Sequence, residues 1–106
     1  MGGYSIKHQQ ALHFVTLTVV GWIDLFTKKE YKEIILENLA FCQQNKGLTV
    51  HAFVIMSNHI HLIIQVENPH SLSNVLRDFK NYSTICLLKS IMSTLESRRE
   101  WLLYMF

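Results

Sequence analysis

The chain is poor in most of the residues that mark specialised classes of protein. Its 106 residues include two cysteines, one proline and four glycines. Cys42 and Cys86 lie far apart, each within a helical pattern. They provide neither the density of a disulfide scaffold nor the CxxC spacing of a zinc site, and they read as reduced, mostly buried thiols of a cytosolic protein. The single proline and the 49% hydrophobic content exclude a disordered tail and indicate a compact globular chain. Charge is sparse as well. With 17% charged residues and a formal charge of +2, the balance is too mild to establish a nucleic-acid partner, although it does not oppose one. No apolar run approaches the roughly 18 residues that a membrane span needs. The N-terminal Met1 to His8 has no apolar segment of the secretory kind, so a cytoplasmic location is expected. Repeats, linkers and low-complexity stretches are absent. The length corresponds to one domain over residues 1–106, expected to bury about 60 to 70% of its unfolded surface.

His13 to Val20 is rich in β-branched and aromatic residues, with Thr16 and Thr18 alternating against apolar neighbours. This predicts a half-buried strand ending near Gly21. Thr27-Lys28-Lys29-Glu30 has the form of a capping box, and Tyr31, Ile34, Ile35, Leu39 and Cys42 then trace one face of a helix that stops at Asn45-Lys46-Gly47. Two strands follow, over 48–56 and 59–66, joined by Ser57-Asn58 in a tight hairpin. Asn68-Pro69-His70-Ser71 breaks the second of them and offers Ser71 as an N-cap. Leu72, Val75, Leu76, Phe79, Tyr82 and Cys86 mark the next helix face. Ser93-Thr94 predicts a break before a last segment, Glu96 to Phe106. The order strand, helix, strand, strand, helix predicts an α+β, ferredoxin-like split βαβ unit with a mostly antiparallel sheet and helices on one face. No fourth strand is legible after the second helix.

The most informative stretch is Asn58-His59-Ile60-His61, flanked by Ala52-Phe53-Val54-Ile55-Met56 and by Leu62-Ile63-Ile64. A strand has a side-chain period of two, so His59 and His61 share one face while Ile60 takes the other. Same-face neighbours lie roughly 6 to 7 Å apart along the backbone, so two imidazoles at this spacing can converge on one ion. The plainer alternative is a pair of strand histidines hydrogen-bonded to polar neighbours. Burying two imidazoles without partners is costly, which makes this pattern wasteful for a sheet that only packs. Two ligands alone make a weak site, and water, phosphate or a further side chain must complete it. Ligand softness by itself points to zinc.

The run Ala52 to Ile63 resembles the His-hydrophobic-His (HUH) signature of single-tyrosine transposases, the small insertion-sequence enzymes and the REP-associated tyrosine transposases. Phe14 to Val20 is similar to that family's first strand, Leu72 to Lys80 to the helix after its motif, and Glu96-Ser97-Arg98-Arg99-Glu100-Trp101 also matches its pattern. The resemblance implies a ferredoxin-like fold and a divalent ion, Mg²⁺ or Mn²⁺, held by His59 and His61. It also implies cleavage and rejoining of single-stranded or hairpin DNA through a 5′-phosphotyrosine during transposition. The family's tyrosine lies in a later helix, in a Tyr-Ile-x-x-Asn-Pro or Tyr-x-x-x-Gln motif, and this sequence contains neither. The expectation is therefore a single domain over 1–106 without the C-terminal helix that carries the nucleophile, or another tyrosine in its place. The alternative to an enzyme is a non-catalytic remnant that binds single-stranded DNA.

Tyr82 is the candidate replacement nucleophile because Arg77 and Lys80 precede it on one helix. Its place between Phe79 and Cys86 on the apolar stripe favours instead a core tyrosine with its hydroxyl at the rim. Arg77 and Lys80 are candidate DNA-backbone contacts, each neutralising a phosphate, and their plain reading is a solvated helix face. His51, on the neighbouring strand, is a weaker candidate third ligand. A free sheet edge predicts self-association as a homodimer.

Overall fold

A computed structural model describes the backbone of residues 7–19 and 24–105, with side chains described as far as residue 94. Strand β1 covers His13–Thr18, helix α1 Lys29–Asn45, strand β2 Leu48–Ile55, strand β3 His59–Val66 and helix α2 Leu72–Met105; a short 3₁₀ turn, Leu25–Thr27, precedes α1. The three strands form one sheet in the order β1-β3-β2, and β3 runs antiparallel to both neighbours. β1 and β2 are thus parallel and linked through α1, with β3 inserted between them. This is the split βαβ arrangement, and the fold is α+β with both helices on one side of the sheet.

Alternation along β3 decides which side. Ile60, Leu62, Ile64 and Val66 are buried and meet Phe26, Tyr31, Ile35 and Leu39 from the α1 side and Leu72, Val75, Leu76 and Phe79 from α2 in a single core. Their burial supplies the drive to fold, about 1.5 to 3 kcal/mol for each aliphatic side chain taken out of water. Between the helices, Asn38 Nδ2 donates to Ser83 Oγ at 2.9 Å, so the two buried polar residues of the core satisfy each other. Burial also pushes the Cys42 thiol above its ordinary value. Lys46 opposes that shift and Asp78 adds to it.

Several local devices follow the sequence. Gly47 takes φ +65° after α1, and a Cβ there would stand 2.7 Å from His70 Cδ2, so both backbone and space require glycine. Ser71 caps α2, its Oγ accepting from the Asn74 N–H at 3.3 Å. Gln9 adds a second acceptor at the same helix end, taking the Ser73 N–H at 3.0 Å. β2 carries a bulge between Val50 and Ala52 that leaves His51 without a partner in the register.

Two expectations are corrected. The capping box does not form. α1 starts from Lys28 with no side-chain cap, because the Thr27 hydroxyl is turned back to the Asp24 carbonyl at 3.1 Å, closing the 3₁₀ turn instead. Nor does Ser93-Thr94 break the second helix. α2 runs unbroken for 34 residues, and the Thr94 hydroxyl donates to the Ser90 carbonyl at 3.1 Å, which satisfies it within the helix. β1 ends at Thr18, short of the expected Val20; residues 20–23 lie outside those described.

Candidate functional site: a histidine pair on the open sheet face

β3 is the central strand, hydrogen-bonded on both sides, which makes it the most constrained backbone in the sheet. Its core-facing residues fix the phase of its alternation, so His59 and His61 stand on the face away from the helices. Across the sheet, Thr18 is the register partner of His59 and Thr16 that of His61. Opposed residues of an antiparallel pair project to the same side. The two imidazoles are therefore surrounded by Thr16, Thr18 and Phe14 from β1 and by Val54 from β2, the latter opposite His61.

The rings stand with centroids 4.7 Å apart and planes at 85°. Each is held through Nδ1. His59 Nδ1 lies 2.7 Å from Asn58 Oδ1. An amide oxygen only accepts, so the His59 proton sits on Nδ1 and the Nε2 lone pair is left available. His61 Nδ1 lies 3.0 Å from Thr16 Oγ1. A hydroxyl can donate or accept, and in the tautomer in which His61 Nδ1 donates to it the Nε2 of His61 is free in the same way. A ring anchored through one nitrogen and open at the other is the arrangement that metal-ligating histidines adopt, and two imidazoles so held fit a divalent ion as a donor pair. Among the described residues no group of three or more His, Cys, Asp or Glu gathers to hold a metal, so the pair would supply two positions and leave the rest to water or a bound phosphate.

The other candidates are elsewhere. His51 Nε2 is 3.4 Å from Gln65 Oε1, and Gln65 lies four residues beyond His61, roughly 13 Å along the strand. Among the described residues His51 forms no metal-holding group with the pair. Tyr82 is 56% exposed and stacks on Phe41 of α1, with centroids 6.4 Å apart at 26°. It is not a core tyrosine. The buried stripe of α2 passes through Phe79 and Ser83, and Tyr82 stands about 100° around the helix from Ser83, toward α1. Tyr82 therefore belongs to the helix layer, and the sheet separates its ring from the imidazoles. Arg77 donates from Nε and Nη2 to Asp78 Oδ1 at 3.3 Å each, while Lys46 Nζ approaches Asp78 Oδ2 at 3.5 Å. Lys80 borders a groove between β1 and α2 together with Leu17, Thr18 and Val19. The structure thus brings His59 and His61 together and leaves Tyr82, Arg77 and Lys80 on the helix side.

Two residues of this face escaped the sequence reading, while Asn58, part of the stretch singled out there, was not assigned its role as the acceptor for His59. Thr16 and Phe14 become neighbours of His61 only through the pairing of β1 with β3, which joins residues 45 apart for the Thr16–His61 contact. Among the described residues, no helix is long and apolar enough to cross a membrane.

Comparison with known proteins agrees with this fold. A solved structure of a REP-associated tyrosine transposase bound to a REP hairpin superposes with a TM-score of 0.67 at 17% identity, covering 81% of this chain and 53% of that one. At that identity the likeness concerns the fold, and the present chain spans about half the length of that protein. No curated protein matches the sequence. Residues 7–102 match the family model for IS200-like transposases, nearly the full length, and the chain belongs to that family.

Proposed function

We propose that the open face of the sheet binds single-stranded, hairpin-forming DNA and that His59 and His61 hold a divalent ion, Mg²⁺ or Mn²⁺, at the phosphate to be cut and rejoined in transposition. Family membership supports the substrate class. The observation that carries the site assignment is the anchoring of both imidazoles through Nδ1, by Asn58 at 2.7 Å and by Thr16 at 3.0 Å. When bound, such an ion stabilises charge that develops on the phosphate oxygens. The chain's own residues do the rest of the positioning. The central strand fixes the separation of the rings, Asn58 and Thr16 fix their orientation, and the register with β1 sets a threonine opposite each ring. Arg77 and Lys80 extend the contact by neutralising phosphates of DNA that reaches the helix layer.

In the cleavage step a tyrosine oxygen attacks the phosphorus, the bond to the 3′ oxygen breaks, and a 5′-phosphotyrosine and a free 3′-hydroxyl result. Rejoining reverses it, the 3′-hydroxyl displacing the tyrosine. Among the described side chains none of the tyrosines stands at the histidine pair: Tyr31 is in the core and Tyr82 is stacked on Phe41. Tyr4 and Tyr104 lie outside the described side chains. The second reading is a single-stranded-DNA-binding domain that holds the phosphate without cutting. Self-association along the edge of β1, which among the described residues is paired on one side only, belongs to the same reading; a monomer by light scattering would remove it.

A denaturing gel separates the two readings. The protein is incubated with Mn²⁺ and a set of labelled hairpin-bearing single strands, beside His59→Ala and Tyr82→Phe. A covalent adduct lost in His59→Ala and kept in Tyr82→Phe supports cleavage by a tyrosine other than Tyr82. An adduct lost in both would establish Tyr82 and refute the intramolecular geometry. Mn²⁺-dependent binding without adduct supports the binding domain.

A further inference from the structure

Phe14 is the most exposed large hydrophobic residue among those described, at 68%, although it lies within a strand rather than at a loop tip. Its ring stands 5.7 Å from that of His61, tilted by 41°. Core packing does not explain it, because the buried side of the sheet is filled by the alternate residues of β3. Among the described residues of the strands, this face carries no Lys, Arg, Asp or Glu. Phe14, Thr16 and Thr18 on β1 stand across from Ile63, His61 and His59 on β3, with Ala52 and Val54 of β2 opposite Ile63 and His61. The cations closest to a DNA-binding role, Arg77 and Lys80, are on the helix side. An uncharged, partly apolar face around a phosphate-binding pair is complementary to the flat rings of nucleobases rather than to a run of phosphates.

We infer that Phe14 is a base-stacking platform, taking the nucleobase next to the phosphate held at His59 and His61. The inference rests on the proposed reading of the histidine pair as a DNA phosphate site. A phenyl ring stacks on any of the four bases, so the contact selects unpaired over paired nucleotides without selecting sequence. In a duplex the base faces are already stacked and are closed to Phe14. The platform therefore gives this face a preference for single strands that the histidine pair alone does not supply. Phe14 is a positioning residue here, since it holds the nucleotide and takes no part in bond making.

The test uses fluorescence anisotropy with the full chain, Mn²⁺ and three probes: a 20-nucleotide oligothymidine, the same backbone with abasic sites throughout, and a blunt duplex. Wild-type protein is expected to bind the oligothymidine about tenfold more tightly than the abasic strand, Phe14→Ala to lose that difference, and Phe14→Trp to keep it. Because Phe14 is so exposed, Phe14→Ala should melt at the wild-type temperature, which separates lost stacking from lost folding. Equal affinity of wild type and Phe14→Ala for oligothymidine, with binding still abolished by His61→Ala, overturns the platform and leaves the histidine site standing. Wild-type protein that binds none of the probes overturns the histidine site itself. Phe14→Ala that changes the mass by light scattering but not the affinity makes Phe14 a contact between copies and also overturns the platform.

Discussion

The hydroxyl of Thr16 offers the sharpest perturbation of the site, because it touches the chemistry through one atom and contributes little to the core. Its Oγ1 lies 3.0 Å from His61 Nδ1, on the exposed side of β1. Thr16→Val keeps the β-branched shape and the strand propensity while removing that partner. The fold should be almost indifferent, with a change within about 0.5 kcal/mol, as for other surface substitutions. Metal affinity should not be. Deleting the outer partner of a metal-bound imidazole costs about 10- to 100-fold, which corresponds to about 1.4 to 2.7 kcal/mol. The loss has two parts. The ring gains freedom to rotate, and Nδ1 loses the partner that selects its tautomer. Thr16→Ser, which retains the hydroxyl, should stay within about threefold of wild type, since the hydrogen bond survives and only a methyl group is lost. The assay is titration with Mn²⁺ followed by electron paramagnetic resonance of the free ion, with urea melts of the same variants as the control. Wild-type affinity in Thr16→Val, or an equal loss in Thr16→Ser, would refute the assignment of Thr16 as the group that orients His61.

Other expectations concern the scaffold. Leu62 is 1% exposed at the centre of β3, so Leu62→Ala should lower stability by about 2 to 5 kcal/mol in a urea melt; a loss below about 1 kcal/mol would mean that the other face of β3 is buried. Ser83→Ala removes the acceptor for Asn38 Nδ2, held at 2.9 Å, and should cost about 1 to 3 kcal/mol by leaving a buried donor unpaired. The double variant Asn38→Leu with Ser83→Ala should be closer to wild type than Ser83→Ala alone. The Cys42 thiol is pushed up by burial, and the sign of its linkage follows: the folded chain holds the proton longer than the unfolded chain, so its contribution is intact below the ordinary thiol range and is lost as pH rises through that range toward the folded value. Denaturation midpoints between roughly pH 7 and 10 should fall less steeply in Cys42→Ala than in wild type, and equal slopes would contradict the burial of the thiol.

The parts of this protein that the sequence made legible are those written in local patterns. Alternation along His59–Val66, the two-residue hairpin at Ser57-Asn58, the left-handed glycine at position 47 and the Ser71 cap all depend on neighbours within a few residues. The same patterns sufficed for the split βαβ order. Where reading failed, a competing local bond or a long-range pairing decided the outcome. Thr27 had the spacing of a capping box, but the Asp24 carbonyl was within reach of its hydroxyl. Ser93-Thr94 looked like a helix end, yet a long helix satisfies such hydroxyls against its own backbone. Tyr82 sat at three- and four-residue spacing in an apolar series, and only the position of α1 showed that it falls on the flank of the stripe. At the site, the histidines were legible because they lie on one strand. The oxygen that orients His61 was not, since it comes from a different strand, and the phase of β1 against β3 is set by the whole sheet. Phe14 went unnoticed for the same reason: as a strand residue it resembles a core aromatic, and its exposure follows from which face the helices cover.

The central claim is that the two imidazoles form one phosphate-directed metal site on the open face. The measurement that tests it most directly is binding of a labelled hairpin-bearing single strand with and without Mn²⁺, for wild type and for the His59→Ala, His61→Ala double variant. The account predicts that Mn²⁺ tightens binding by the wild-type chain and that the double variant, with an unchanged melting temperature, shows no response to the ion. An equal response to Mn²⁺ in both proteins would contradict it.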